Sequence, residues 1–170
     1  MNNKIISKEG FAPQIGILVS QMGYVRENTQ KLLQSRELTV EDLDFNFDAK
    51  SNSIGTLLLH MAVHEFKFQL NHFYKRDITK EEYEKYIGGM PFMMQKRLVS
   101  GNDLNFYLNE LDIIRAKTLL FLKEKKDAWL FEELVTSNGK NMGNYYYLLR
   151  HVIDDEINHQ GQLKMILKRI

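Results

Sequence analysis

Apolar residues recur along this chain at spacings of three and four, and four long stretches keep that rhythm. Ile15, Leu18, Met22, Val25 and Leu32 predict a first helix over roughly Ala12 to Arg36. A second is predicted from Ser51 or Ser53, either of which can cap its free N–H groups, to about Arg76. Leu104, Tyr107, Leu111, Ile114, Thr118 and Leu122 line one face of a third, from Asn102 or Asp103 to Lys125. The fourth runs from about Gly143 to the C-terminus, with Leu148, Val152, Leu163, Ile166 and Ile170 in its stripe. Lys164, Lys168 and Arg169 complement its negative end.

The connections complete the pattern. DITKEEYEKYIGGMPFMMQKRLVSG predicts a short helix and then a turn marked by Gly-Gly and Pro. KKDAWLFEELVTSNGKNMGN predicts another short helix and a polar loop. No segment alternates long enough for a sustained strand, and both prolines are expected outside the long helices. The expected fold is all-α, a single domain over residues 1–170, built as an antiparallel four-helix bundle with crossover connections.

Against that greasy periodicity, a few polar residues stand out. Asp155 and His159 are four apart, so they project from one face of the fourth helix, and that face is the core stripe. A buried carboxylate and imidazole are costly unless satisfied, and a divalent metal shared with a histidine from a facing helix satisfies them. Imidazole nitrogen and carboxylate oxygen suit Zn²⁺, and also Ni²⁺, Mn²⁺ or Fe²⁺. On the second helix, His60 and His64 point almost equally toward the interior, and periodicity does not choose between them. Glu65 is near the same face and can orient a ligand or meet substrate.

The remaining candidates read more plainly. His72 is expected at the surface, and Asp154 and Glu156 on solvated or boundary faces. His151 can pair with Asp155 one turn away, but Gly161 beside His159 favours close approach there. Tyr145, Tyr146 and Tyr147 read as packing, Trp129 and Phe131 as caps over the core. Glu156 and His159 match one Glu-x-x-His element of di-iron bundles, but no other histidine has a glutamate three residues before it. His64-Glu65 begins the zincin pattern, but Phe68 occupies the second histidine position.

Composition narrows the chemistry. The net charge is +1 with mixed signs, which gives no electrostatic footprint for nucleic acid. No stretch reaches transmembrane length, and MNNKIISKEGFAPQ lacks an apolar signal core, so a cytoplasmic protein without membrane contact is expected. Cysteine is absent, which excludes disulfides, thiolate metal sites and a cysteine nucleophile. A second helix that is apolar nearly all round favours a homodimer.

SIGTLLLHMAVHE in the second helix and HVIDDEINHQGQL in the fourth resemble the DinB-like (DinB/YfiT-like) superfamily of four-helix metalloproteins. The resemblance covers nearly the whole chain. It implies His60 as the second-helix ligand, five residues before Glu65, with Asp155 and His159 completing the set. Many members carry histidine where Asp155 stands, and the branch of thiol-dependent maleylpyruvate isomerases and mycothiol or bacillithiol S-transferases often carries glutamate. Gln162 stands where some S-transferase relatives have another histidine. The resemblance thus implies a metal-dependent S-transferase acting on a small-molecule electrophile. Because the chain has no thiol of its own, a low-molecular-weight thiol such as bacillithiol would supply it. Metal-dependent hydrolysis and a non-enzymatic, stress-related metal-binding bundle are the alternatives. Phe92, Met93 and Trp129, on the crossovers, are expected as pocket walls.

Overall fold

The computed structural model describes residues 4–91, 93–96, 98–135 and 139–170. Its helices are α1 (Pro13–Gln34), α2 (Val40–Asp44), α3 (Ile54–Phe68), α4 (Lys80–Tyr86), α5 (Leu104–Lys123) and α6 (Tyr145–Leu167). Among the described residues the fold is all-α apart from one small hairpin, β1 (Glu133–Val135) against antiparallel β2 (Asn141–Asn144). No helix among the described residues is long and apolar enough to cross a membrane.

The helix starts are set by their caps. Ser53, rather than Ser51, accepts the Thr56 N–H and begins α3; Asp103 accepts from Phe106 and begins α5; Asn144 accepts from Tyr147 and begins α6. Pro13 does not precede the first helix but opens it, where its missing N–H costs nothing. The short α2, absent from the periodicity reading, is nucleated by a capping box between Thr39 and Asp42. The second long helix does not stay α-helical to Arg76. It loosens to a π-helix over Gln69–Tyr74 and stops at Lys75, a non-glycine residue in the left-handed region. The polar loop expected before α6 is in part the β1–β2 hairpin, too short for alternation to announce it.

α3 packs against α5 and α6, and α1 packs against both as well. Directions follow from side-chain pairings. Glu65 meets Arg115, and Gln69 meets Ile114 and Thr118, while Gly55 lies against Tyr107. α3 and α5 therefore run the same way, as the long crossover through α4 requires. Arg26 meets Glu156 and Arg36 meets the Leu167 carbonyl, so α1 and α6 also run together. The two parallel pairs oppose each other: His60 meets His159 and His64 meets Asp155 across α3 and α6, and Met22 meets Arg115 and Arg26 meets Asp112 across α1 and α5.

The apolar core has two regions. One gathers Leu33, Leu43, most of α3, the start of α5 and Leu163, Ile166 and Leu167. The other gathers α1 from Ile15 to Val25, Leu122, Trp129 and α6 from Tyr145 to Ile153. Along α1, α5 and α6 the residues between the two are polar and buried: Arg26 and Thr29, Arg115 and Thr118, Glu156 and His159. The candidate site lies in that middle layer.

Candidate metal centre

Two helices bring the site together. His60 lies in the middle of α3, a helix buried along nearly its whole length, and Asp155 and His159 lie one turn apart on α6. Among the described residues, the ligand atoms of His60, Asp155 and His159 all lie within 4.8 Å of one another. The His60 and His159 rings meet nearly edge-on, with centroids 5.0 Å apart. The trio expected from the family pattern is thus assembled in space.

Each side chain is aimed by a neighbour. His60 Nδ1 lies 2.9 Å from the Gly89 carbonyl oxygen. A carbonyl only accepts, so Nδ1 carries the proton and Nε2 keeps its lone pair for the site. That contact needs the Gly-Gly turn. A Cβ on Gly89 would lie 2.8 Å from the Leu59 carbonyl oxygen, so only glycine lets the crossover come this close to α3. The crossover is held down by Glu110 of α5, which accepts from Lys85 at 2.7 Å and from the Tyr86 hydroxyl at 2.8 Å. Burial, reinforced by that carboxylate, pushes the Tyr86 phenol well above its ordinary range and keeps it a donor.

On α6, His159 Nδ1 lies 3.4 Å from Gln162 Oε1, and its Nε2 lies 3.5 Å from Asp155 Oδ1. With the proton on Nδ1, that Nε2 and the carboxylate oxygen face each other as two acceptors. A cation between them resolves the conflict, and in its absence the other tautomer does so, with Nε2–H donating to Asp155. The donor set, two imidazole nitrogens and a carboxylate, suits a borderline divalent ion. The residues present therefore fit the metal that the family pattern implies.

The electrostatics point the same way. Burial first, and then the nearby His159, lower the His60 pKa despite the opposing Gly89 hydrogen bond, so this imidazole is neutral and ready to ligate at pH 7. Burial works against the Asp155 anion, but hydrogen bonds from His159 and His64 hold its carboxyl well below the ordinary range.

His64 takes a supporting place. Its Nδ1 lies 3.3 Å from Asp155 Oδ2, on the opposite side of the carboxylate from His159. Its ring stacks on His60 at 5.8 Å and meets His151 edge-on at 5.1 Å. His151 does not pair directly with Asp155 and instead stacks on Tyr147. His72 is half-buried beside Phe68 rather than fully exposed, and burial lowers its pKa.

Other expectations are corrected. Glu156 is not on a solvated face; it is 3 % exposed and bonded to Arg26, Arg115 and Thr29. Glu65 points not into the site but to Arg115, with both oxygens 3.0 Å from Nε. Gly161 meets nothing that a Cβ would strike, so it serves no close approach. Trp129 stacks on Tyr145 at the start of α6, 14 residues from His159, or about 21 Å of helix, and walls no pocket at the site. Phe131 is exposed rather than a cap. Met93 packs against the α3-centred core, and Phe92 lies outside the described residues.

No protein-family profile and no curated protein matches this chain. Among solved structures, it is similar to the crystal structure of the conserved protein of locus from Enterococcus faecalis, with a TM-score of 0.67 and 16 % identity over 88 % of this chain and 92 % of that one. Likeness at that identity concerns the fold alone.

Proposed function

We propose that this chain is a DinB-like four-helix bundle whose His60, Asp155 and His159 hold one divalent metal ion, Zn²⁺ in first place, in a thiol-dependent S-transferase. The observation that carries the reading is the convergence of these three side chains from two helices, with His60 oriented by the Gly89 carbonyl. Three protein ligands leave coordination positions open, the arrangement of a catalytic rather than a structural site. When bound, such an ion lowers the pKa of a coordinated thiol or water and supplies a nucleophile at neutral pH.

The chain's own part is to hold and to orient. His60 and His159 offer nitrogens whose opposite ring atoms are engaged by Gly89 and Gln162. Asp155 offers one oxygen while His64 engages the other. With no cysteine in the chain, the thiol arrives on a small molecule of the bacillithiol or glutathione type, and a cytoplasmic location belongs to the same reading. The second partner is a small electrophile, and a homodimer is part of the same reading.

The test is conjugation of a generic electrophile with bacillithiol, glutathione, cysteine and coenzyme A, comparing metal-loaded wild type with His60→Ala. Faster conjugation with at least one thiol in the wild type supports the reading. Equal rates with every thiol remove it, and ester hydrolysis lost in His60→Ala would put a hydrolase in its place.

A further inference from the structure

The middle layer contains a second group of charged residues that the proposed chemistry does not use. Arg115 of α5 is buried, only 8 % exposed, between two carboxylates. Its Nε lies 3.0 Å from Glu65 on α3, its Nη2 3.3 Å from Glu156 on α6, and its Nη1 donates to the Met22 carbonyl of α1 at 3.1 Å. Arg26 of α1 closes the group, with Nε and Nη2 at 2.9 and 3.2 Å from the two oxygens of Glu156. Thr29 adds a 2.7 Å hydrogen bond to the same carboxylate, and Gln160 donates to Thr29 at 3.0 Å. One guanidinium thus touches all three of the other long helices.

Stability does not explain the group. Two buried ion pairs cost about as much to desolvate as they return, and apolar residues of similar volume serve equally well for stability. Geometry gives them a use. A guanidinium fork fixes direction and distance, whereas apolar side chains tolerate sliding by part of a turn. Glu156 is the residue after Asp155, and Glu65 lies five residues after His60, so the fork spans the two ligand-bearing helices beside the ligands themselves.

We infer that Arg115 is a positioning residue, which by bridging Glu65 and Glu156 sets the separation and register of α3 and α6 and so the fit of His60 to Asp155 and His159. The inference rests on the metal-centre reading for its consequence, but the positioning itself is readable without metal. A lysine at this position keeps the charge and loses the fork, so neither glutamate is left in an uncompensated site.

The experiment compares wild type, Arg115→Lys and Leu122→Ala, the last removing a fully buried side chain of the second core region. Because the chain has no cysteine, spin labels at Lys67→Cys on α3 and Arg150→Cys on α6 report one distance cleanly. In metal-free protein, Arg115→Lys should broaden or shift that distance and Leu122→Ala should not. Titration with Co²⁺ should then show about tenfold weaker binding and an altered visible spectrum at saturation for Arg115→Lys alone. A wild-type distance, wild-type Co²⁺ affinity, or an equal change in Leu122→Ala overturns the inference. Should Arg115→Lys not fold, Glu65→Gln is read by the same criteria. A wild type that binds no Co²⁺ defeats the metal-centre reading instead, and the spin-label distance alone then decides the role of Arg115.

Discussion

His64 Nδ1 lies 3.3 Å from Asp155 Oδ2, while the other oxygen of the same carboxylate lies 3.5 Å from His159 Nε2. The carboxylate is thus shared between two histidines, one facing each oxygen. Periodicity left His60 and His64 equivalent; their neighbours separate them. Replacing His64 with alanine should keep one metal per chain and weaken its binding about tenfold, the usual effect of losing an outer partner. Calorimetric titration with Zn²⁺ checks this, and lost stoichiometry would make His64 a ligand.

Gly89→Ala tests the crossover's approach to α3. The new Cβ would meet the Leu59 carbonyl oxygen at 2.8 Å, so the turn must withdraw and take the His60 acceptor with it. A loss of about 1–3 kcal/mol is expected in urea unfolding, together with weaker metal binding. Unchanged stability would show that the turn has room the structure does not give it.

Arg115→Met strands Glu65 and leaves Glu156 to Arg26 alone. Stranding one buried carboxylate costs about 3–5 kcal/mol, far more than the pair contributes over apolar packing. Chemical denaturation in EDTA measures it, and a change within 0.5 kcal/mol of wild type, roughly the scatter of surface substitutions, would place these carboxylates in water.

Acid should destabilise the metal-free protein in two stages. The folded-state pKa of His60 is depressed below its ordinary 6.5, so its contribution is present above that value and is lost as pH falls through the depressed one. Glu156 is depressed below 4.5, burial notwithstanding, by Arg26 and Arg115; its contribution is likewise present above 4.5 and lost as pH falls further. Urea midpoints measured in EDTA from pH 8 to pH 4 should decline below about pH 6.5 and more steeply near the end. Midpoints that rise on acidification would contradict both signs.

The long helices were legible because each carries a stripe at the helical period, and Asp155 and His159 because they interrupt one. Arg26 and Arg115 interrupt stripes too: Arg26 follows Met22 by one turn, and Arg115 follows Leu111 by one turn. Their burial was readable by the same rule that exposed the histidines. The same rule applies to Glu156, one turn after Val152, and the solvated-face reading overlooked it. The hairpin and α2 escaped because elements of three to five residues are set by caps and turns rather than by periodicity. The engagement of His60 by Gly89 joins residues 29 apart through the fold of the crossover, a relation no local pattern carries.

The most direct measurement is elemental analysis of protein purified without added metal and re-equilibrated with Zn²⁺, for wild type and His159→Ala side by side. About one divalent ion per chain in the wild type, with the bound ion lost in the variant, is the expected result. No bound metal in the wild type, or equal occupancy in the two, would contradict a centre built from His60, Asp155 and His159.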